Sequence, residues 1–345
     1  MRVDEKAEKQ HYVPKVLLRN FCNLPKDQIC AFDKWNGKSF KTNISNVASE
    51  RNYNVYKDGD ETLNAEPFYT SLESEVSQAF EKLNTHRRLS ILSAVDIEAL
   101  THFVAAQYLR SKNLREAHLM LNLDFIERIK SMGHKPKDVS GFQELNEESV
   151  KRLSFEMLQI LPDLVGQIHN KELLLLETNI DNPFFVSDNP VVLHNERQFG
   201  AYGNIGFALP GIQIYMPLSS TLALAMWCPT ITEKGFESYQ SLCMTLEKSS
   251  EAALHNANEF LKTEAAKTRD EAIHLLESDP PMRFYKLFSE GRPIFQSEEN
   301  VAFLNGLQVI FAHRFLYSSI DNFVLAKEMV EKDPKYKTGF MPQMN

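Results

Sequence analysis

Ile212-Gln213-Ile214-Tyr215-Met216-Pro217-Leu218-Ser219-Ser220-Thr221-Leu222-Ala223-Leu224-Ala225-Met226 is the stretch that decides the fold class. Ile212, Ile214 and Met216 alternate with other residues, as do Leu222, Leu224 and Met226, which is the two-residue period of paired strands. Pro217-Leu218-Ser219-Ser220 joins the two runs. Shorter apolar runs at 173–176, 184–186 and 191–193 precede them. Together these runs predict a small antiparallel sheet in the second half of the chain.

Outward from that sheet the period becomes helical. Ala65, Phe68, Leu72, Val76, Ala79 and Leu83 recur every three or four residues and make one core-facing stripe over 63–83. Ser93-Ala94-Val95-Asp96 reads as a capping box. The helix it opens, 94–110, is apolar on almost every side, with His102, Gln107 and Arg110 as its notable polar members. Further helices are predicted over 150–168 and 236–267, and a last one from Ser297 through Asn305, Gln308, His313 and Arg314 to Tyr317. Near the N-terminus, Pro14 opens a short helix with Leu17, Leu18 and Phe21 as its apolar face and Asn23 and Pro25 as its stop. Trp35-Asn36-Gly37-Lys38 lies between two extended runs and predicts a β-hairpin. The expected class is therefore α+β, a mostly helical body with an N-terminal hairpin and a small sheet in the second half. One integrated domain is expected over 10–330. Gly133, Pro136 and Gly141 mark 131–149 as a mobile connection, and 1–9 and 333–345 as flexible tails complete the reading.

Composition narrows the function. A net charge of −8 argues against a sequence-blind grip on nucleic acid, because such binding needs many cations to release counterions from phosphates. A local basic patch from Arg110, Lys112 and Arg115 stays open as an exception. The four cysteines show no metal-type spacing, and no apolar run is long enough to cross a membrane. A soluble, cytoplasmic chain with free thiols is expected. The sequence contains no G-x-x-x-x-G-K followed by Ser or Thr, no G-x-G-x-x-G, no H-E-x-x-H and no G-x-S-x-G.

Four weaker constellations remain. His11 stands one turn ahead of the Pro14 helix, where unpaired N–H groups favour anions and a neutral imidazole; its plain alternative is an anchor for the helix entry. Glu66 and Glu73, seven residues apart, share a helix face and suit a divalent cation or divided acid and base roles, or else a solvated helix border. Gln107 and Arg110 need partners on a buried helix, and Arg110 suits Glu73, Asp188 or a ligand phosphate. Ser187-Asp188-Asn189-Pro190-Val191 follows an apolar run. It reads either as a catalytic carboxylate at a strand end or as an Asx-stabilised turn.

These same positions carry a resemblance. The chain is similar to domain-of-unknown-function family 4238 at Gln10-His11-Tyr12-Val13-Pro14 with Leu18-Arg19-Asn20-Phe21, and at Asn46-Val47-Ala48, Glu66 and Glu73. The similarity continues through Phe103-Val104-Ala105-Ala106-Gln107 with Arg110 and Arg115, then Ser187-Asp188-Asn189-Pro190-Val191, Pro217-Leu218-Ser219, and Asn305 to Arg314. The resemblance implies no particular reaction or cofactor, but it singles out the polar positions already flagged. The leading expectation is a phosphodiester or nucleotide hydrolase assisted by a divalent metal. In it His11, Glu73 and Asp188 are catalytic, Arg110 neutralises phosphate charge, and Gln107 and Asn189 orient the substrate. The rivals are a recognition or sensor module for a small anionic ligand or peptide, and a buried structural network.

Overall fold

The computed structural model describes residues 9–22, 25–58, 61–199, 203, 205–254, 267, 271 and 278–339. In chain order the N-terminal half contains β1 (Lys9–His11), α1 (Lys15–Leu18), β2 (Gln28–Asp33), β3 (Lys38–Asn43), β4 (Ser49–Arg51), β5 (Val55–Asp58) and β6 (Glu61–Asn64). The helices α2 (Glu66–His86), α3 (Ala94–Leu109), α4 (Lys112–Ser131), α5 (Glu147–Glu156) and α6 (Leu161–His169) follow. The second half supplies β7 (Glu172–Glu177), β8 (Val186–Ser187), β9 (Val192–His194), β10 (Gln213–Ser219) and β11 (Leu222–Trp227). It ends with α7 (Pro229–Leu254), α8 (Pro280–Ser289), β12 (Ile294–Phe295), α9 (Glu298–Phe311), β13 (Phe315–Ser318) and α10 (Val324–Lys332). The protein is α+β.

Two sheets organise the site. The expected pair, β10 and β11, is antiparallel with Ile214 opposite Met226 and Met216 opposite Leu224. Pro217 belongs to β10 rather than to the turn, beside a register shift before Ser219. This sheet has the order β12-β7-β11-β10-β9 and is antiparallel except for β12, which runs parallel to β7. The second sheet, β3-β2-β13-β8, extends the N-terminal hairpin. Asp33 pairs with Lys38 across the turn, and Gly37 supplies a φ of +69° there. β8, expected in the same small sheet as β9, instead belongs to the second sheet and pairs with β13.

α3 forms the centre of the helical body. Its capping box closes through Ser93 and Asp96, and Leu100, Phe103, Val104, Ala105, Ala106 and Leu109 are all buried. Phe103 meets Phe80 of α2 edge-on at 5.1 Å. Full burial of each such Leu or Phe contributes about 1.5–3 kcal/mol, so α3 is fixed from several sides. Its partner α2 starts at Glu66, because 61–64 forms a strand paired with β5.

Three expected helices differ. The Pro14 helix is four residues long and continues as a 3-10 turn over Arg19–Phe21; Asn23, its expected stop, lies outside the described residues. The helix expected over 150–168 is interrupted by a 3-10 turn, Met157–Ile160, ahead of Pro162. The last helix stops at Phe311, not Tyr317. Its last carbonyls and the N–H groups just beyond it are held by Lys34 and Asp188, and Phe315, Leu316, Tyr317 and Ser318 pair with β2. The connection 131–149 contains a 3-10 turn, Pro136–Asp138, and the Asn122 amide bonds Gln143 and Leu145 at 2.8 and 2.9 Å. Beyond Asp333, Pro334–Lys337 forms another such turn. Residues 1–8, 340–345 and most of 255–277, including nearly all of the expected helix past Leu254, lie outside the described residues. Among the described residues no helix is long and apolar enough to cross a membrane.

Candidate functional site

Arg110 closes α3, and its side chain is only 2% exposed. Its Nε donates to Gln107 Oε1 at 2.8 Å and its Nη1 to Glu73 Oε1 at 2.8 Å. Tyr69 lies beneath the guanidinium at 4.7 Å, and the Tyr53 hydroxyl donates to the Arg110 carbonyl at 2.9 Å. Gln107 Nε2 donates to the Tyr12 carbonyl at 2.8 Å. The sequence flagged this group correctly as needing partners, and the fold supplies them. Glu66 does not join it; it accepts from Asn54 Nδ2 at 2.6 Å. The basic patch dissolves in the same way. Lys112 pairs with Glu50, and Arg115 stacks on Tyr53 at 3.7 Å while bonding the Tyr53 carbonyl and Ser154.

His11 is part of β1, opposite Ser49. Its Nε2 is buried and has no partner among the described residues. Burial pushes the imidazole down to about 4, helped by the charges of Lys15, Lys9 and Arg110 against a hydrogen bond that the ring donates to the Ile44 backbone. The ring is neutral, as expected, but burial causes this rather than a helix terminus. A four-residue α1 has little dipole to offer.

Asp188 and Asn189 follow β8. Asp188 is fully buried, and its carboxylate accepts from the N–H groups of His313, Arg314 and Phe315 at 2.7, 2.7 and 2.8 Å. Burial pushes the carboxyl up, against the pull of those N–H groups and the Lys34 charge. Lys34 is itself buried and donates from Nζ to the carbonyls of Val309 and Ala312 at 2.7 and 2.6 Å. Asn189 donates to the Phe311 carbonyl at 3.2 Å. Asn305 and Gln308 of α9 hold this strand in turn: Asn305 bonds Pro183 and Phe185, and Gln308 bonds Ser187 and Pro190. Neither side chain bonds its own local backbone, so no Asx turn forms: the local bond is from the Asn189 N–H to Ser187 Oγ at 3.1 Å, and Asp188 and Asn189 instead hold the end of α9.

Beside this end of α9 lies a cavity of about 230 Å³. Asp188, His313, Arg314, Phe315 and Tyr317 line it from one side, Trp35, Phe40 and Thr42 from the hairpin, and Tyr12, Ser49, Glu50 and Lys112 from the others. Arg314 grips Asp33 through Nε and Nη2 at 3.0 and 2.6 Å, which leaves Nη1 without a partner among the described residues. Burial would push the Asp33 carboxyl up, yet the Arg314 bonds and the Trp35 N–H outweigh it and hold it below the usual carboxylate range. His313 Nδ1 and Ser49 Oγ are buried and likewise lack hydrogen-bond partners among the described residues, whereas the buried Tyr317 hydroxyl is met by the Ala48 backbone. Burial, with Lys112, Lys34 and Arg314, holds the His313 imidazole neutral, at about 4.

The six flagged residues thus separate. Glu73, Gln107 and Arg110 form one network, Asp188 stands in the cavity wall, Asn189 turns to the end of α9, and His11 lies on β1. Tyr12 links the first two, its carbonyl bound to Gln107 and its side chain on the cavity. His11, Glu73 and Asp188 do not fit a divalent cation as a donor set. Arg110 holds Glu73, backbone N–H groups hold Asp188, and among the described residues no three His, Cys, Asp or Glu converge to hold an ion. Sequence reasoning placed Trp35 correctly in the hairpin turn but put His313 and Arg314 in a helix, and so missed the cavity. A signal was available: Asp33 and Lys34 end one apolar run, and His313 and Arg314 interrupt another.

Fold and site define an α+β protein with a polar cavity enclosed between a hairpin, a helix end and the strand that follows it. Within that class the chain belongs to the family described as Protein of unknown function (DUF4238), whose model matches residues 9–322. No curated protein and no solved structure matches it.

Proposed function

We propose that the protein is a recognition module that binds a small anionic ligand in the cavity beside Arg314. One observation carries this reading: the site has spare donors and few spare acceptors. The Asp188 carboxylate is engaged by three backbone N–H groups. Both Asp33 oxygens are occupied by Arg314, Trp35 and Asn36. Arg314 Nη1 is left over, and Lys112 gives one of its three donors to Glu50. Hydrogen bonds between charged donors and an anion are the strong kind. Glu50 is the rim acceptor that opposes such a ligand, and it is half exposed.

Titration calorimetry with inorganic phosphate and pyrophosphate tests the proposal. Lys112→Ala should weaken binding about 10- to 100-fold, the worth of one charge-assisted hydrogen bond, and Glu50→Gln should tighten it. Absence of binding by either anion would remove the reading. A phosphodiester hydrolase is the second reading, favoured by the neutral His313 imidazole in the cavity wall. Turnover of bis-p-nitrophenyl phosphate that is lost in His313→Asn would put it first.

A further inference from the structure

We propose that the occupant of this cavity is a nucleoside monophosphate, with its base on Trp35 and Phe40 and its phosphate on Arg314 and Lys112; this rests on the anion-binding reading above. Trp35 and Phe40 are 47% and 41% exposed, yet both line the cavity that holds the spare donors. Single exposed aromatics are ordinary, but two on the wall of one polar cavity form a stacking surface. Both are held in place. The Arg314 guanidinium lies 4.3 Å from the centre of the Trp35 ring, and the Trp35 N–H is fixed by Asp33 at 3.0 Å. Phe40 meets Phe315 edge-on at 6.4 Å. Arg314 thus braces the aromatic surface with the same side chain that offers Nη1 to an anion.

Size and polarity select within ring-bearing anions. About 230 Å³ is small beside the roughly 300–1,000 Å³ of usual ligand pockets. A cavity of that size suits a sugar phosphate with a single base at the exposed mouth better than a longer strand. Thr42 and Glu50 in the lining are the groups that the hydroxyls of a sugar would meet.

Calorimetry on the full chain with 5′-AMP, adenosine, ribose 5-phosphate, inorganic phosphate and a 5′-phosphorylated tetranucleotide tests this. The expected result is 5′-AMP binding about tenfold or more tighter than ribose 5-phosphate, the usual worth of one base on an aromatic ring. That advantage should vanish in Trp35→Ala and Phe40→Ala and survive in Trp35→Phe, which keeps a stacking face. Equal binding of 5′-AMP, ribose 5-phosphate and phosphate, unchanged by Trp35→Ala, overturns the nucleotide but leaves the anion site standing. Adenosine binding as tightly as 5′-AMP overturns the anion reading itself. Tighter binding of the tetranucleotide overturns the single-nucleotide assignment in favour of a strand.

Discussion

A buried carboxylate and a buried guanidinium play comparable parts at two points of this molecule, and point substitutions separate structure from recognition. Asp188 offers its oxygens to three consecutive N–H groups. Asparagine at 188 keeps one acceptor oxygen but turns an amide N–H₂ toward donors and removes the charge facing Lys34. Asp188→Asn should therefore lower stability by about 2–5 kcal/mol, because a buried amide N–H₂ then faces N–H groups that have lost their acceptor, measured by urea unfolding. Arg110 divides its guanidinium between Glu73 and Gln107, a fork that one ammonium cannot reproduce. Arg110→Lys should cost nearly as much as Arg110→Met, about 3–5 kcal/mol. Because none of Glu73, Gln107 and Arg110 lines the cavity, the folded fraction of either Arg110 variant should bind phosphate as the parent does. A loss of phosphate affinity there, with stability unchanged, would move the ligand to the Arg110 network.

At the scale of elements, the end of α9 shows why part of the structure was legible in the sequence and part was not. The stripe of α2, the all-round burial of α3, the β2–β3 hairpin and the alternation of β10 and β11 are local periodicities, and each could be read from neighbouring residues. Nothing local stops α9 at Phe311, since Ala312 and His313 would continue a helix. The stop comes from Lys34 on the hairpin and Asp188 after β8, far away in sequence, which capture the carbonyls and N–H groups around the turn. With the helix read too far, β13 was lost, and with it the cavity that β13 helps to wall. The Arg110 network was half legible, because a polar residue on a buried helix demands a partner even before the partner is known. Lys34→Met should accordingly cost about 2–6 kcal/mol, since two buried carbonyls lose their donor and Asp188 loses the attraction of the Lys34 charge. The double variant Lys34→Met/Asp188→Asn should lose less than the sum of the two, since both act on one turn. Strict additivity in chemical denaturation would show that the two side chains cap independently.

Over the whole molecule, buried histidines dominate the response to acid: His11 and His313 shift furthest, His194 is lowered in the same direction, and the raised Asp188 carboxyl works against them. His11 and His313 sit on strand β1 and after α9, on separate elements, and burial holds both at about 4. The unfolded chain binds their protons near 6.5. Between pH 6.5 and 4 the unfolded state therefore carries more protons than the folded one, and stability rises with pH. The stabilisation is complete above 6.5 and is lost as pH falls toward 4. His313, nine-tenths buried, should supply up to about 1.4 kcal/mol per pH unit across that window, and half-buried His11 less. Asp96, held at about 2 by the Lys82 and Ser93 hydrogen bonds, adds its loss only at lower pH, below about 4. Lys34 governs the alkaline side. Burial brings its ammonium down to about 8, so from 8 toward 10 the unfolded chain again holds more protons and stability rises once more. A neutral amine there still has two N–H donors for the carbonyls of Val309 and Ala312. Urea midpoints taken from pH 4 to 9 should thus rise to 6.5, flatten, and climb again past 8; above 9 the Cys22 thiol, which burial pushes up to about 11, opposes the Lys34 rise. His313→Asn should flatten the first rise and Lys34→Met the second. A His313→Asn profile parallel to that of the parent between 4 and 6.5 would mean that the ring is protonated in the folded protein, and that the cavity wall carries one more positive charge.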